Sequence, residues 1–277
     1  MSSVDKKLFK TEFAVEMTCQ SCVNDITKVL QKIPDIKEID VSLENQRVTV
    51  QGSAPPSQIS RALKDTGRTV IVRGQGVANG QGHSGAAVCI FDTFGDNPLN
   101  PVPQDTQGLA RFVQIDQDTC LIDLTVEGLK PGLHGVHIHE CGDISQGWMS
   151  VGDHFNPTNV DHGDFESGHV GDLGNIEVDE NGWGDLVIES KRVKVWDIIG
   201  RSMVITENRD DLGKGESTSS SSSTTKWDGN SGPGLLCGII ARSAGAFENV
   251  KKVCACSGKT LWEEARIQQE NKVHASI

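Results

Sequence analysis

Hydrophobic side chains recur at helical spacing only in the first quarter of this 277-residue chain, and that asymmetry limits the folds open to it. Val23, Ile26, Leu30 and Ile33 share one helical face. Before them Phe9, Thr11, Phe13 and Val15 alternate with period two, as Ile39, Val41, Leu43, Val48 and Val50 do after them, on either side of the turn Glu44-Asn45-Gln46. A second helix is expected between Pro55-Pro56-Ser57 and Gly67, with proline near its start and glycine just past its end. Strand, helix, strand, strand, helix, strand predicts an α+β, ferredoxin-like βαββαβ domain over residues 1–73.

Gly74, Gly76, Gly80, Gly82 and Gly85 predict a flexible linker over 74–85. From Ala86 to Ala241 no helical period is visible. Alternating segments such as Cys120, Ile122, Leu124 and Val126, separated by turns such as Glu180-Asn181-Gly182, predict an all-β Greek-key sandwich or barrel over 86–241. Residues 242–277 carry too few apolar side chains to bury a core, so this tail, with little regular structure, is expected either to be disordered or to order only against another surface, with Leu261-Trp262 as the candidate anchor. The run Ser217 to Thr225 reads as solvated loop.

Charge narrows the partners. The three regions carry +2, −16 and +2 of the total −12, and so acidic a centre repels nucleic acid and anionic membrane. No apolar run approaches the ~18 residues of a membrane helix, and Met1 to Lys10 has no apolar core, so a soluble cytoplasmic protein is expected. Eight cysteines are too sparse for a disulfide-built scaffold, which favours a reducing compartment.

Cys19 and Cys22 stand where the first strand turns into the first helix, whose unpaired N–H groups stabilise thiolates. A bare Cys-x-x-Cys also fits a redox pair or half a zinc site. The segment Met17-Thr18-Cys19-Gln20-Ser21-Cys22 on a βαββαβ background resembles the heavy-metal-associated domain of copper chaperones and copper ATPases. That resemblance implies one Cu(I) on the two thiolates, received from a copper donor protein or transporter and passed on by ligand exchange.

His137 and His139, two apart on a strand, point to one face. His154, His162, His169 and Asp172 supply the three imidazoles and one carboxylate of a closed tetrahedral Zn(II) site, which would be structural. His83, His134 and His274 read as ordinary core or surface residues. The segments His137-Ile138-His139-Glu140, Gly152-Asp153-His154-Phe155-Asn156-Pro157, His169 to Asn175 and Asp211-Leu212-Gly213-Lys214-Gly215 resemble Cu,Zn superoxide dismutase. The resemblance implies copper ligands His137, His139 and His154, the last bridging to zinc, and Asp210 linking the two sites. It also shows departures: Thr206 stands where a fourth copper histidine is expected, Gly234 where an anion-guiding arginine is, and Trp148 where a disulfide cysteine is, although Cys237 matches its partner. Whether Cys141 replaces that cysteine is open. The first two losses predict a domain that does not turn over superoxide.

Cys254 and Cys256, beside Lys251 and Lys252, fit either a Cu(I) site or an easily reduced disulfide. Arg242-Ser243-Ala244-Gly245, Cys254-Ala255-Cys256 and Thr260-Leu261-Trp262-Glu263-Glu264 resemble the tail of copper chaperones for superoxide dismutase. That family resemblance implies a metallochaperone that docks to immature dismutase as a heterodimer, through a surface near Gly142, Ile199, Gly200 and Ile239. It would then deliver copper and promote the client's disulfide through Cys254 and Cys256. Arg242 stands where an apolar interface residue is expected. A homodimer of the free chain and a fraction in the mitochondrial intermembrane space are compatible with it. The competing readings are a Cu,Zn superoxide dismutase with accessory metal domains and a Cu(I)-buffering module without a client.

Overall fold

Alternation along Phe9–Val15 sends Phe13 and Val15 to one side of a strand, and helices then cover that side. A computed structural model describes residues 8–77, 85–91, 106–215, 228–243 and 262–263. It divides into one unit of Met1–Ser84 with Ser243–Ile277 and another of Gly85–Arg242.

In the first unit β1 (Phe9–Val15), α1 (Gln20–Leu30), β2 (Ile36–Ser42), β3 (Arg47–Gly52), α2 (Pro56–Lys64) and β4 (Val70–Val77) form the expected βαββαβ arrangement. The antiparallel sheet runs in the order β2-β3-β1-β4. Ile26 and Leu30 of α1 and Ile59 and Leu63 of α2 bury themselves with Phe13, Val15, Val48 and Val50. The expected linker begins too early. Gly74 pairs with Glu12 and Gly76 with Lys10, so β4 runs on to Val77. The ladder bonds are backbone bonds, and an edge strand tolerates residues without side chains. Residues 78–84 lie outside the described residues.

The second unit is a closed antiparallel barrel of β5 (Ala86–Phe91), β6 (Gln107–Gln114), β7 (Cys120–Glu127), β8 (Gly132–His139), β9 (Asp172–Val178), β10 (Trp183–Ser190), β11 (Ser202–Thr206) and β12 (Gly234–Arg242). Phe112, Ile122, Leu124, Ile138, Ile176 and Met203 fill its core. Two short helical pieces interrupt it, a 3-10 turn at Gly147–Ser150 and α3 (Val195–Ile198). Four residues are too few to show a helical period. The Ser217 to Thr225 run lies outside the described residues, and of the tail beyond Ser243 only a helical turn at 262–263 is described. No helix among the described residues is long and apolar enough to cross a membrane.

Candidate metal centres

The end of β1 delivers the chain to Cys19, which starts α1 without a side-chain cap, and Cys22 lies one turn in. Their sulfurs are 3.7 Å apart, with Cys19 exposed and Cys22 half-buried. Cys22 is held down at about 6 by hydrogen bonds from the Thr18 backbone and then from the Arg68 guanidinium. The Ser21 hydroxyl, 3.0 Å from its sulfur, leads in lowering Cys19. Arg68 sits just before β4 and is steadied by Asp25, 3.3 Å away. Sequence reasoning missed it, because nothing local in Gly67-Arg68-Thr69 points to a residue on another element.

In the barrel, β8 turns His137 and His139 to the same side, and an isolated bridge sets His154 opposite His139. Asp172 opens β9 directly across from His137. Its carboxylate pairs with His154 Nδ1 at 2.8 Å and lies 3.0 Å from His162 Nδ1 and 3.3 Å from His169 Nδ1. One ligand atom from each of these four buried residues lies within 4.8 Å of the others. Neither His162 Nδ1 nor His169 Nδ1 makes a hydrogen bond. Three imidazoles converging on a carboxylate, two with unbonded buried nitrogens, fit a tetrahedral Zn(II) donor set. The backbone N–H groups of Gly163 and His169 orient Asp172 through its Oδ2 atom. Arg192 donates to the carbonyls of Phe165 and Gly168 and so ties down the loop that carries His169.

A second set adjoins the first. His154 stacks on His137 with centroids 4.0 Å apart, and one nitrogen each from His137, His139 and His154 again lies within 4.8 Å. His137 Nδ1 and His139 Nε2 are buried without a hydrogen-bond partner, which fits a three-imidazole site. Asp210 joins the two sets, accepting from His137 Nε2 and His162 Nε2, both at 2.8 Å. Burial, then the neighbouring imidazoles, pushes His139 down to about 3 and His154 to about 4. For His162 burial acts the same way, but Asp172 and Asp210 overcome it and lift it to about 10. His134 spans the carbonyls of Thr206 and Lys130, as an ordinary core histidine does.

Thr206 brings no nitrogen to the second set, and its hydroxyl is taken up by the carbonyls of Gly135 and Asn208. At Gly234 a Cβ would meet Trp148 at 2.5 Å, so the indole fills the space a longer side chain would enter. Trp148 also packs with Val151, Val204 and Cys237. Cys237 is a buried free thiol, raised to about 12 by burial, and Cys141 is an exposed free thiol. Cys237 pairs with Val204, itself opposite His137, whereas Cys141 lies four residues past His137 toward Ser202.

Near the expected docking surface, Gly142 abuts the Gly200 carbonyl and Gly200 donates to Ile240 at 2.8 Å. Ile239 is exposed and Ile199 half-buried. Sequence reasoning missed Trp196, 54% exposed on α3 only a few residues before Gly200. Cys254 and Cys256 lie outside the described residues.

Comparison with known proteins agrees with this geometry. Residues 12–69 match the heavy-metal-associated domain and residues 106–240 match copper/zinc superoxide dismutase. A copper chaperone for superoxide dismutase from Mus musculus is 46% identical over 255 residues, covering 91% of this chain and 88% of its own length. The Homo sapiens protein of that name is 44% identical with the same coverage. The Arabidopsis thaliana copper chaperone for superoxide dismutase, chloroplastic/cytosolic, is 36% identical over 91% of this chain and 69% of its own. Among solved structures, the clock protein EA4 superposes with a TM-score of 0.50 and 32% identity, covering 59% of this chain and 98% of that one.

Proposed function

The chain belongs to the copper chaperones for superoxide dismutase, and on that premise we propose how its residues deliver copper to a superoxide dismutase. Cu(I) is the cargo, and soft thiolates suit it. The observation that carries the reading is the Cys19–Cys22 pair, 3.7 Å apart with Cys19 exposed, and with Cys22 favoured as thiolate beside Arg68. Such a pair holds Cu(I) with room for a third sulfur. An incoming thiolate adds to the metal and one of the original two leaves, so the count of thiolates and the oxidation state are unchanged. Cys254 and Cys256 receive the ion in this way and pass it to the client. Where this tail pair is oxidised, exchange converts two client thiols to a disulfide and the tail disulfide to two thiols, with electrons balanced between the partners.

The barrel is the docking module. Zn(II) would be held by His154, His162, His169 and Asp172, and it would supply folding energy to a loop with little packing of its own. Resemblance of the barrel to the client supports docking through the Gly142, Ile199, Gly200 and Ile239 surface, by the isologous geometry of a homodimer. Thr206 and the Trp148-filled space at Gly234 support a barrel without dismutase turnover, since a copper donor and an anion guide are each replaced.

The test mixes Cu(I)-loaded chain with reduced, zinc-loaded, copper-free dismutase and follows recovered activity beside a Cys254→Ser/Cys256→Ser variant. Recovery with the intact chain and loss with the variant is expected. Equal failure of both would refute delivery, and dismutation by the metal-loaded chain alone would favour an accessory-domain dismutase.

A further inference from the structure

Gln46 closes the β2–β3 turn with φ 47°, a left-handed conformation that glycine or asparagine adopts at less cost. Its backbone serves the turn and the sheet: the N–H donates to the Leu43 carbonyl at 3.2 Å, and the carbonyl accepts from the Val15 N–H at 3.0 Å. Its half-buried side chain goes elsewhere. Nε2 donates to the Met17 carbonyl at 3.0 Å, on the segment that leads to Cys19. A non-glycine residue keeps such a backbone only where its surroundings hold it there, and that points to a task for the side chain.

We propose that Gln46 is a positioning residue for Cu(I) binding: its amide holds the Met17–Thr18 peptide so that the N–H on the far side faces the Cys22 sulfur. A trans peptide is planar, and its C=O and N–H point opposite ways. Fixing the Met17 oxygen therefore fixes the direction of the Thr18 N–H, the backbone donor to Cys22. The Thr18 hydroxyl stands on the same sulfur, 3.9 Å away. A donor on the carbonyl also polarises the peptide, which strengthens its N–H as a donor in turn. The other flank of this segment is held one residue earlier, where the Glu16 N–H donates to the Thr69 carbonyl at 3.1 Å. Met17 itself is 2% exposed and packs in the core, whereas Thr18 and Cys19 are exposed and Cys19 starts α1 without a side-chain cap. Among the described residues, the Gln46 bond is thus the last backbone tie between the sheet and Cys19. Glycine at 46 would relax the turn but leave that carbonyl untied. The consequence for copper rests on the delivery reading, whereas the orientation of the peptide does not.

Two substitutions separate this role from turn-making. Gln46→Gly suits the left-handed backbone and removes the amide, whereas Gln46→Met keeps the length of the side chain and removes only the donor. In the reduced, metal-free, full-length chain the Thr18 amide proton is followed by heteronuclear NMR. Both variants should move it upfield, toward the position of an unbonded amide, and an unmoved signal in either overturns the proposal. Cu(I) affinity is then measured by competition with a Cu(I) chelator in the full chain carrying Cys254→Ser/Cys256→Ser, so that the Cys19–Cys22 pair is read. Both variants should bind about fivefold more weakly than this parent, the worth of one hydrogen bond. Affinity equal to the parent's in both would also overturn it. A parent that takes up no Cu(I) at Cys19 and Cys22 would refute the delivery reading, and the Thr18 signal would still decide the role of Gln46.

Discussion

Arg68 gives the Cys19–Cys22 pair its charge balance: without it Cys22 keeps the Thr18 amide but loses the one cation among the described residues that stabilises its thiolate directly. In the copper-free chain, alkylation of Cys22 should rise through a midpoint near pH 6. Arg68→Ala should move that midpoint upward and slow alkylation at pH 6 by roughly three- to fivefold. An unchanged profile would mean that the Thr18 amide and the helix terminus suffice. Trp148 is a second such residue. It closes over Cys237 and rests on Gly234, so Trp148→Ala should destabilise the barrel by roughly 2–3 kcal/mol, measured by urea unfolding. It should also open Cys237 to thiol reagents. Neither role was legible in sequence. A departure from a family pattern shows what is missing at position 148, but only packing shows what the indole does instead.

Among the elements, the long segment between β8 and β9 is the least self-sufficient. Its order comes from His154, His162, His169, the Asp172 carboxylate and the Arg192 clamp. Stripping metal with a chelator should raise hydrogen exchange across residues 153–171 while the β6–β7 hairpin stays protected. The histidines also set how the stripped barrel responds to pH. His137, His139 and His154 are depressed by burial and stay neutral when folded, but take up protons near pH 6.5 when unfolded, so stability falls as pH drops below about 6.5. His162 runs the other way: its contribution is complete below about 6.5 and is lost as pH rises through about 10. Three groups outweigh one on the acid side. The metal-free protein should therefore show its highest melting temperature near neutrality and a clear fall by pH 5, and a flat acid limb would contradict the arrangement. That His154, His162, His169 and Asp172 come together was legible, because they come at metal spacing. Arg192 was not, since its carbonyl partners lie on another segment. The end of β4 was misplaced because glycine content signals flexibility, whereas Gly74 and Gly76 serve a backbone ladder on an edge strand.

For the whole molecule the change in hydrophobic period was enough to foresee a βαββαβ unit followed by a β barrel. Each strand's alternation records which side it buries, and that sufficed for fold class. What periodicity does not record is which surfaces meet another protein. Ile239 and Trp196 are exposed apolar residues of the barrel, and a central charge at such a surface is costly. Ile239→Glu should weaken the complex with immature dismutase at least tenfold by calorimetry while leaving Cu(I) loading at Cys19 and Cys22 unchanged. The claim on which the rest depends is that copper travels to the client on this chain's thiolates. The most direct measurement loads the chain with Cu(I), adds excess Cu(I) chelator, and follows activation of reduced, zinc-loaded dismutase beside the same copper supplied free. Activation by the loaded chain but not by free copper is predicted. Equal activation by free copper, or by a chain with all four terminal cysteines changed to serine, would contradict it.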